Sequence, residues 1–574
     1  MTHQSDPTGR GNAVRKNNFF PIIAVAALFF LTLPAVAQEK AKQANAGRLV
    51  PAGSHVVLSF NIGSLLKKSG HETFLDLPGA KDAHQELKQE SELAAKILEN
   101  PKLLGIDFDK PIYLFGTFSP AQEEFGEPEI IGGLIATPLS AAKLEAGLKK
   151  VFTDGLGEAG AQMFKKLRKE KNYSILADSD GDVPIALAFN DDALVLMGGN
   201  SEEALEGIEK ELRKVMGGKK VLAKSEATYG AYLKKQVDLG GWINLNSLMK
   251  LSPDIPAEQL EKLQNIIGKM RMAGSVNFIP GAIQVDIISS TDAEYVKKIK
   301  PAPKKTMLGL LPHKAVASFA YSFDMKGTRK WLKEEYLPAL KKMEGGEALA
   351  MAELMMMGAI GMNFDDLLDI PKGEMIFSFI DLEMGVDPDF GTPEPKPSLI
   401  FGMTVNDQKK LGTLVKKLED EGGVQAMNAA GFSILRDKDR FFIANNGLIK
   451  TLRAGKMPNA VADKRRAFFD ENDQAFLLDF KQIVRLAQDF DAPNEVVQVL
   501  VKFAEARFQA NQKGEISEVR ASLSFRDQKT NSLKQLIKLA NEIEQDIRGL
   551  DAPEGNDLEA VPEARDVPEA RDNP

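Results

Sequence analysis

The 574-residue sequence has no cysteine, which excludes disulfide frameworks, thiolate nucleophiles, cysteine-ligated zinc and lipid attachment through an N-terminal cysteine. Histidine is almost as scarce. Of five in all, only His55, His71, His84 and His313 lie beyond the first few residues, and none forms H-E-x-x-H or another close metal spacing. No G-x-S-x-G elbow and no G-x-x-x-x-G-K-[ST] loop occurs, so neither a nucleophile-elbow hydrolase nor a phosphate-loop enzyme is written here. A basic excess is missing too: 73 Lys and Arg stand against 81 Asp and Glu, a formal charge of -8, and nucleic acid is a poor partner. These absences leave no cofactor, no metal and no catalytic set to expect. What remains is 43% apolar and 27% charged, a composition able to bury large cores.

The N-terminus reads as an address. Arg10, Arg15 and Lys16 precede an apolar run over 19–33, and Ala35-Val36-Ala37 before Gln38 has the small-x-small form of a signal peptidase site. A signal peptide over 1–37 is therefore expected, with export to the periplasm or the extracellular space. The alternative is an uncleaved N-terminal anchor. No later stretch approaches 18 apolar residues, so no transmembrane segment is expected after signal removal.

The chain then writes one unit twice. "LVPAGSHVVLSFNIGSLLKK" from Leu49 meets "LLPHKAVASFAYSFDMKGTRKWLK" from Leu310, each a proline turn, an alternating strand and a basic amphipathic helix. "GIDFDKPIYLFGTF" from Gly105 meets "GMNFDDLLDIPKGEMIFSFIDL" from Gly361, and "YSILAD" from Tyr173 meets "FSILRD" from Phe432. Later matches are of pattern only, "LGGWINLNSLMKL" from Leu239 with "QAFLLDFKQIVRLA" from Gln474, and "MAGSVNFIPGAIQVDIISS" from Met272 with "ISEVRASLSFRD" from Ile516. Two α+β units over 46–303 and 304–548 follow, each a largely antiparallel sheet with packed helices, joined across "KPAPKKT". The remainder, 549–574, repeats "VPEARD", lacks aromatics and should be a disordered acidic tail.

Chemistry-bearing patterns are few. Gly155-Leu156-Gly157-Glu158-Ala159-Gly160 fits G-x-G-x-x-G but follows a helix, where a glycine-capped helix exit is the expected reading, not a dinucleotide site. Asp178, Asp180 and Asp182 resemble a calcium loop, yet Val183 and Phe189 stand where an EF-hand needs Gly and Glu, so a hairpin turn is expected. Met351, Met355, Met356, Met357 and Met362 read as an adaptable core helix. One feature is shared by both units: a Pro- and acid-rich loop between the second and third strands carries acid-Phe-Gly-x-Pro. Phe125 and Gly126 in the first unit, and Phe390 and Gly391 in the second, are the candidate contact residues for a partner.

The order of "GIDFDKPIYLF", "GLIATPLSAAKLEAGLKKV", "LPHKAVASFAYSFDMKGTRKWLKE" and "MNFDDLLDIPKGEMIFSFI" resembles an exported bacterial envelope family of the Bacteroidetes type, of unknown function. That resemblance implies common architecture and export, and carries no catalytic residue. The expectation is a non-enzymatic envelope binding or scaffold protein, its partner an envelope protein, a glycan or a lipid. The alternatives are a carboxylate-dependent hydrolase, marked by an acid pair with raised pKa in a pocket, and a lipid carrier, marked by apolar space between sheet and helices.

Overall fold

A computed structural model of the chain describes residues 45–70, 101–119, 129–178, 185–200, 204–235, 237–250, 257–293, 299–342, 346–386, 393–461 and 463–550, with short pieces between 84 and 96 and at 296–297. The signal segment with Ala35, Ala37 and Gln38, and the 551–574 portion of the tail, lie outside these residues. The first half contributes β1 (Val56–Phe60), β2 (Ile112–Ser119), β3 (Glu129–Ala136), β4 (Arg168–Lys169), β5 (Ser174–Asp178), β6 (Ile185–Phe189), β7 (Leu194–Gly199), β8 (Leu239–Asn244), β9 (Arg271–Ile279) and β10 (Ala282–Ser290). The second contributes β11 (Ala317–Ser322), β12 (Pro371–Val386), β13 (Pro393–Val405), β14 (Phe432–Asp437), β15 (Arg440–Asn445), β16 (Gln474–Asp479), β17 (Phe503–Lys513) and β18 (Ile516–Phe525).

Instead of two separate sheets, the halves share one 18-stranded sheet. Its order runs β4-β5-β6-β7-β3-β2-β1-β8-β9-β10-β18-β17-β16-β11-β12-β13-β15-β14, antiparallel at every step. From β10 outward the first half reads β9, β8, β1, β2, β3. From β18 outward the second reads β17, β16, β11, β12, β13, the same series. The hairpin turns fix the correspondence, because Ala282 pairs with Ile279 after one turn and Ile516 with Lys513 after the other, so 282 corresponds to 516. The junction register places Asp286 opposite Arg520, which is the same displacement along the chain. A pseudo-twofold axis perpendicular to the sheet therefore passes between Asp286 and Arg520. There Arg520 Nε donates to Asp286 Oδ1 at 2.6 Å, and Gln284 Nε2 to Oδ2 at 2.6 Å.

The match of "YSILAD" with "FSILRD" is displaced in space. β14 is the second strand out from β13, through β15, whereas β5 is the third out from β3, through β7 and β6. The first half has an extra strand in this meander.

Strand alternation divides the core. On one face, Tyr113, Ile135, Val195 and Trp242 pack under the helices Ala204–Met216, Leu222–Ser225 and Ala227–Tyr232. In the second half Ile376, Ile400, Phe442 and Leu477 pack the same way under Ile449–Ala454 and Asp463–Asp470. The opposite face is covered by buried clusters toward its two ends, under Ile62–Ser69 and Ala141–Lys165 in one half and Phe364–Asp369 and Gln408–Asp420 in the other.

Four strand-to-helix corners are held by an Asn or Asp N-cap at corresponding positions. Asn61 accepts from Ser64 N–H at 3.0 Å, Asp324 from Gly327 at 3.2 Å, Asn244 from Ser247 at 3.3 Å and Asp479 from Lys481 at 3.0 Å. Gly281 closes the β9–β10 turn with φ +71°, and a Cβ there would lie 2.6 Å from Gln528 Cα, so only glycine fits.

His55 sits immediately before β1, as its polar turn position suggests. Its Nδ1 accepts from Phe118 N–H at 3.2 Å and its ring stacks on Phe118 at 6.2 Å. Burial holds its pKa below the ordinary imidazole value. The fold thus prefers the neutral ring, and the stability this contact supplies is present above the unfolded-state pKa of about 6.5 and lost as pH falls through the lower folded value. A His55→Gln variant should therefore show a shallower fall in melting temperature between pH 7 and pH 5 than the parent. Equal slopes in a thermal-shift titration would refute this.

A candidate ligand-binding face

The middle of the sheet reverses the usual assignment of its two faces. Between the two large cores, the face that carries them presents Ser275, Asn277, Gln284, Asp286, Glu518, Arg520, Gln509, Arg507 and Asn511, a polar strip. The opposite face of the same strands is apolar. One row runs through Phe60, Leu239, Val276, Val285, Ala521, Phe508, Phe476, Phe319, Phe377, Phe401 and Ile443, each directly opposite the next across β1, β8, β9, β10, β18, β17, β16, β11, β12, β13 and β15. Eleven strands at about 4.8 Å spacing make this row about 48 Å long.

A parallel row runs Ile287, Val519, Ala510, Gln474, Tyr321 and Met375. Neither row contains a charged side chain. Every residue of the long row is half-buried, and its central members from Leu239 to Phe377 belong to none of the buried clusters. Partly exposed aromatics aligned over many strands are costly to leave in water, which makes this face the candidate binding surface. Along β11 and just past its end, Phe319, Tyr321 and Phe323 form a stacked ladder with ring centroids 6.1 and 4.6 Å apart.

Helices leave the strands at both ends of this open face. At one end the helix Ser532–Leu550 follows β18, buries Leu539 and leans toward Ile62–Ser69. Beneath it is a cleft of about 360 Å³ in which Phe525 and Leu539 meet Lys502, Lys534 and Lys538. At the other end, where the pseudo-twofold would place a counterpart of that helix, the 299–303 linker leaves a cleft of about 340 Å³ against Tyr321, Phe323, Asp473 and Ser517. Burial, with Asp473 nearby, raises the Tyr321 pKa, so its hydroxyl stays neutral.

Two buried acids anchor flanking segments to the sheet, Asp238 beside Ile62–Ser69 and Glu374 on the reverse side, at the second large core. Asp238, 2% exposed, accepts from Lys68 Nζ and Ser64 Oγ at 2.7 Å and from Phe278 N–H at 2.7 Å, fixing Ile62–Ser69 against β9. Glu374 accepts from Thr306 and Met307 N–H, both at 2.7 Å, and Lys305 Nζ donates to the Phe469 carbonyl at 2.9 Å and also to that of Asn472. Burial lowers the Lys305 pKa while Asp473, Asp470 and Glu374 oppose the shift.

The residues singled out by sequence fall elsewhere. Phe125, Gly126, Phe390 and Gly391 lie outside the described residues, although their loops do join β2 to β3 and β12 to β13. Asp180 and Asp182 lie outside too. The G-x-G-x-x-G pattern falls inside Ala141–Lys165, which kinks at Gly157 with φ 60° and ψ -133°, so it opens no helix after a strand. The methionine helix is corrected. Met362 is buried, but Met351, Met355 and Met357 are 60%, 67% and 47% exposed, so Gly346–Ile360 is not a core helix. Among the described residues no group of His, Asp and Glu could hold a metal ion, and no helix is long and apolar enough to cross a membrane. Among them the carboxyl held above its usual range is Asp107, raised by burial, and it lines neither cleft. No protein family, curated protein or solved structure matches the chain.

Proposed function

We propose that the chain is a non-enzymatic, exported binding protein of the cell envelope whose ligand is lipidic, with its acyl portion laid across the apolar rows of the open face. The observation that carries this is the eleven-strand row from Phe60 to Ile443, uncharged and partly exposed where an internal core would be closed. The polar strip on the reverse side of the same strands supports it, since the middle of the sheet places its apolar side chains away from both large cores. Duplication of one ancestral unit fits the reading, because both halves then supply equivalent strands to one surface. At the cleft by Phe525, Lys502 and Lys538 share Glu542 at 3.2 and 3.8 Å and Lys534 lies beside them, with Asp527 also in the lining, so a polar headgroup has charges of both signs to meet.

The test is a titration of the exported chain with a fluorescent fatty acid, alongside mass spectrometry of lipids extracted from protein purified without detergent. Saturable binding is expected, weakened at least tenfold by Phe508→Arg at the centre of the row and by Ala521→Trp, which fills the floor without adding charge. Gln509→Glu, on the reverse face, should leave binding unchanged. Absence of saturable binding, or indifference to both floor variants in folded protein, would overturn the proposal.

A further inference from the structure

The helix Gly346–Ile360, sequence GEALAMAELMMMGAI, is apolar almost all round. Its exposed residues include Met351, Leu354, Met355 and Met357 at 60%, 73%, 67% and 47%, with Ala348, Ala350, Ala352, Gly358 and Ala359 between them. At 100° per residue these positions sweep an arc of roughly 220°, broken only by Glu347 in the first turn. The inner acid, Glu353, is paired with Lys341 Nζ at 2.6 Å. A helix seated in a protein groove shows an apolar stripe bounded by polar flanks. Here no polar boundary exists, which fits immersion in a continuous apolar medium. Fifteen residues span about 22 Å, too short to cross a bilayer, and with Leu349, Glu353, Met356 and Ile360 turned toward the protein the helix can meet a bilayer only with its exposed apolar arc.

The stretch before this helix supplies what an interfacial element needs. The rings of Trp331 and Tyr336, both half-buried, lie 4.9 Å apart at a 36° tilt, and these are the side-chain types that settle at headgroup level. Exposed Lys326 and Lys330 precede the pair in the chain and exposed Lys342 follows it, interleaved with exposed Glu334 and Glu335, Glu334 being drawn toward Lys330 at 3.9 Å. Among the described residues Lys326 and Lys342 have no ion-pair partner, which leaves both available to anionic phosphates.

We infer that Gly346–Ile360, with the Trp331–Tyr336 pair beside it, docks the protein on an anionic lipid surface. This docking is separate from the ligand proposed for the open face, although a carrier that seats its cargo there would use it to approach a bilayer.

The experiment is flotation of the exported chain with large unilamellar vesicles of phosphatidylcholine alone or with 30% phosphatidylglycerol. Co-flotation is expected with the mixed vesicles, reduced at least threefold on phosphatidylcholine alone. The double variant Leu354→Glu, Met355→Glu should lose at least tenfold in partitioning while its melting temperature and fatty-acid binding stay at parental values, since both side chains are exposed. Acyl chains brominated near the headgroup should quench Trp331 and spare Trp242, which is 2% exposed. If the parent stays at the bottom of the gradient, if the double variant floats as well as the parent, or if the parent self-associates through Met355 instead, the inference fails. A parent that floats but takes up no fatty acid would overturn the open-face proposal and leave this one standing.

Discussion

Trp242→Ala is expected to lower the stability of the chain by about 3–5 kcal/mol, the range for deleting a large buried aromatic. The indole is 2% exposed, meets Tyr229 edge-on at 6.0 Å and donates from Nε1 to Thr228 Oγ1 at 3.0 Å. Tyr229 in turn donates to the Gly47 carbonyl at 2.9 Å, and Tyr113 to Asn45 Oδ1 at 2.7 Å. The same cluster thus clamps the turn before β1 onto the sheet. Alanine leaves a cavity and removes the donor from a buried hydroxyl. Trp242→Phe keeps most of the volume and should cost about half as much. The corresponding residue in the second half is Leu477, also buried, whose alanine variant loses less area and no hydrogen bond. Guanidinium melts followed by circular dichroism give the order Trp242→Ala, then Leu477→Ala or Trp242→Phe. A Trp242→Ala loss below 1 kcal/mol would show that the first core does not depend on this cluster.

Much of this architecture is legible in the letters, for a physical reason. Strand-helix corners are local. Phe60-Asn61, Phe323-Asp324, Ile243-Asn244 and Leu478-Asp479 each place an Asx cap at or just past the end of a strand, a signal present in the sequence that points to the same corner four times. The repeat reading rests on such corners, and the linker at 300–306 falls between β10 and β11. Pairing between distant strands is different, because no local preference of Ile283, Val285 or Ile287 names β18 as their neighbour. Aligning the Pro280-Gly281 and Gly514-Glu515 turns would have shown that Asp286 and Arg520 occupy equivalent positions.

The open face is not legible in the letters for a related reason. Alternation in β8, β9, β17 and β18 predicts one apolar side, and an apolar side is ordinarily assumed to be the packed one. Here the side with more apolar residues is the less covered one, a fact set by where the helices lie. The methionine helix failed in the same way. Periodicity cannot separate a helix buried on all sides from one exposed on most of them, since both are apolar all round.

The continuous sheet also predicts what happens when the halves are parted. Expressed alone, 46–303 would leave β10 as a nine-residue edge, with Ile283, Val285 and Ile287 on one side and unpaired backbone groups along its length. It would also lose the helix Ser532–Leu550, which packs on β9, β10 and Ile62–Ser69. Two such halves could pair β10 with β10 about a true twofold axis in the register now used with β18. That register sets Asp286 against Asp286 where the intact chain sets it against Arg520 at 2.6 Å. Like charges directly opposed in a largely buried position are destabilising, so the isolated half should aggregate at neutral pH. Asp286→Asn in the same half should convert a substantial fraction to a soluble dimer. Made as separate chains in one cell, 46–303 and 304–548 should co-purify at one to one, with Arg520→Asp abolishing the association and Asp286→Arg with Arg520→Asp restoring it. Size-exclusion chromatography with light scattering reads every arm. A monomeric 46–303 that unfolds cooperatively by itself would establish two independent tandem domains and remove the junction as a determinant of the fold. The opposite result makes the Asp286–Arg520 pair the element that specifies joining of unlike halves, since it favours β10 on β18 and penalises each on itself.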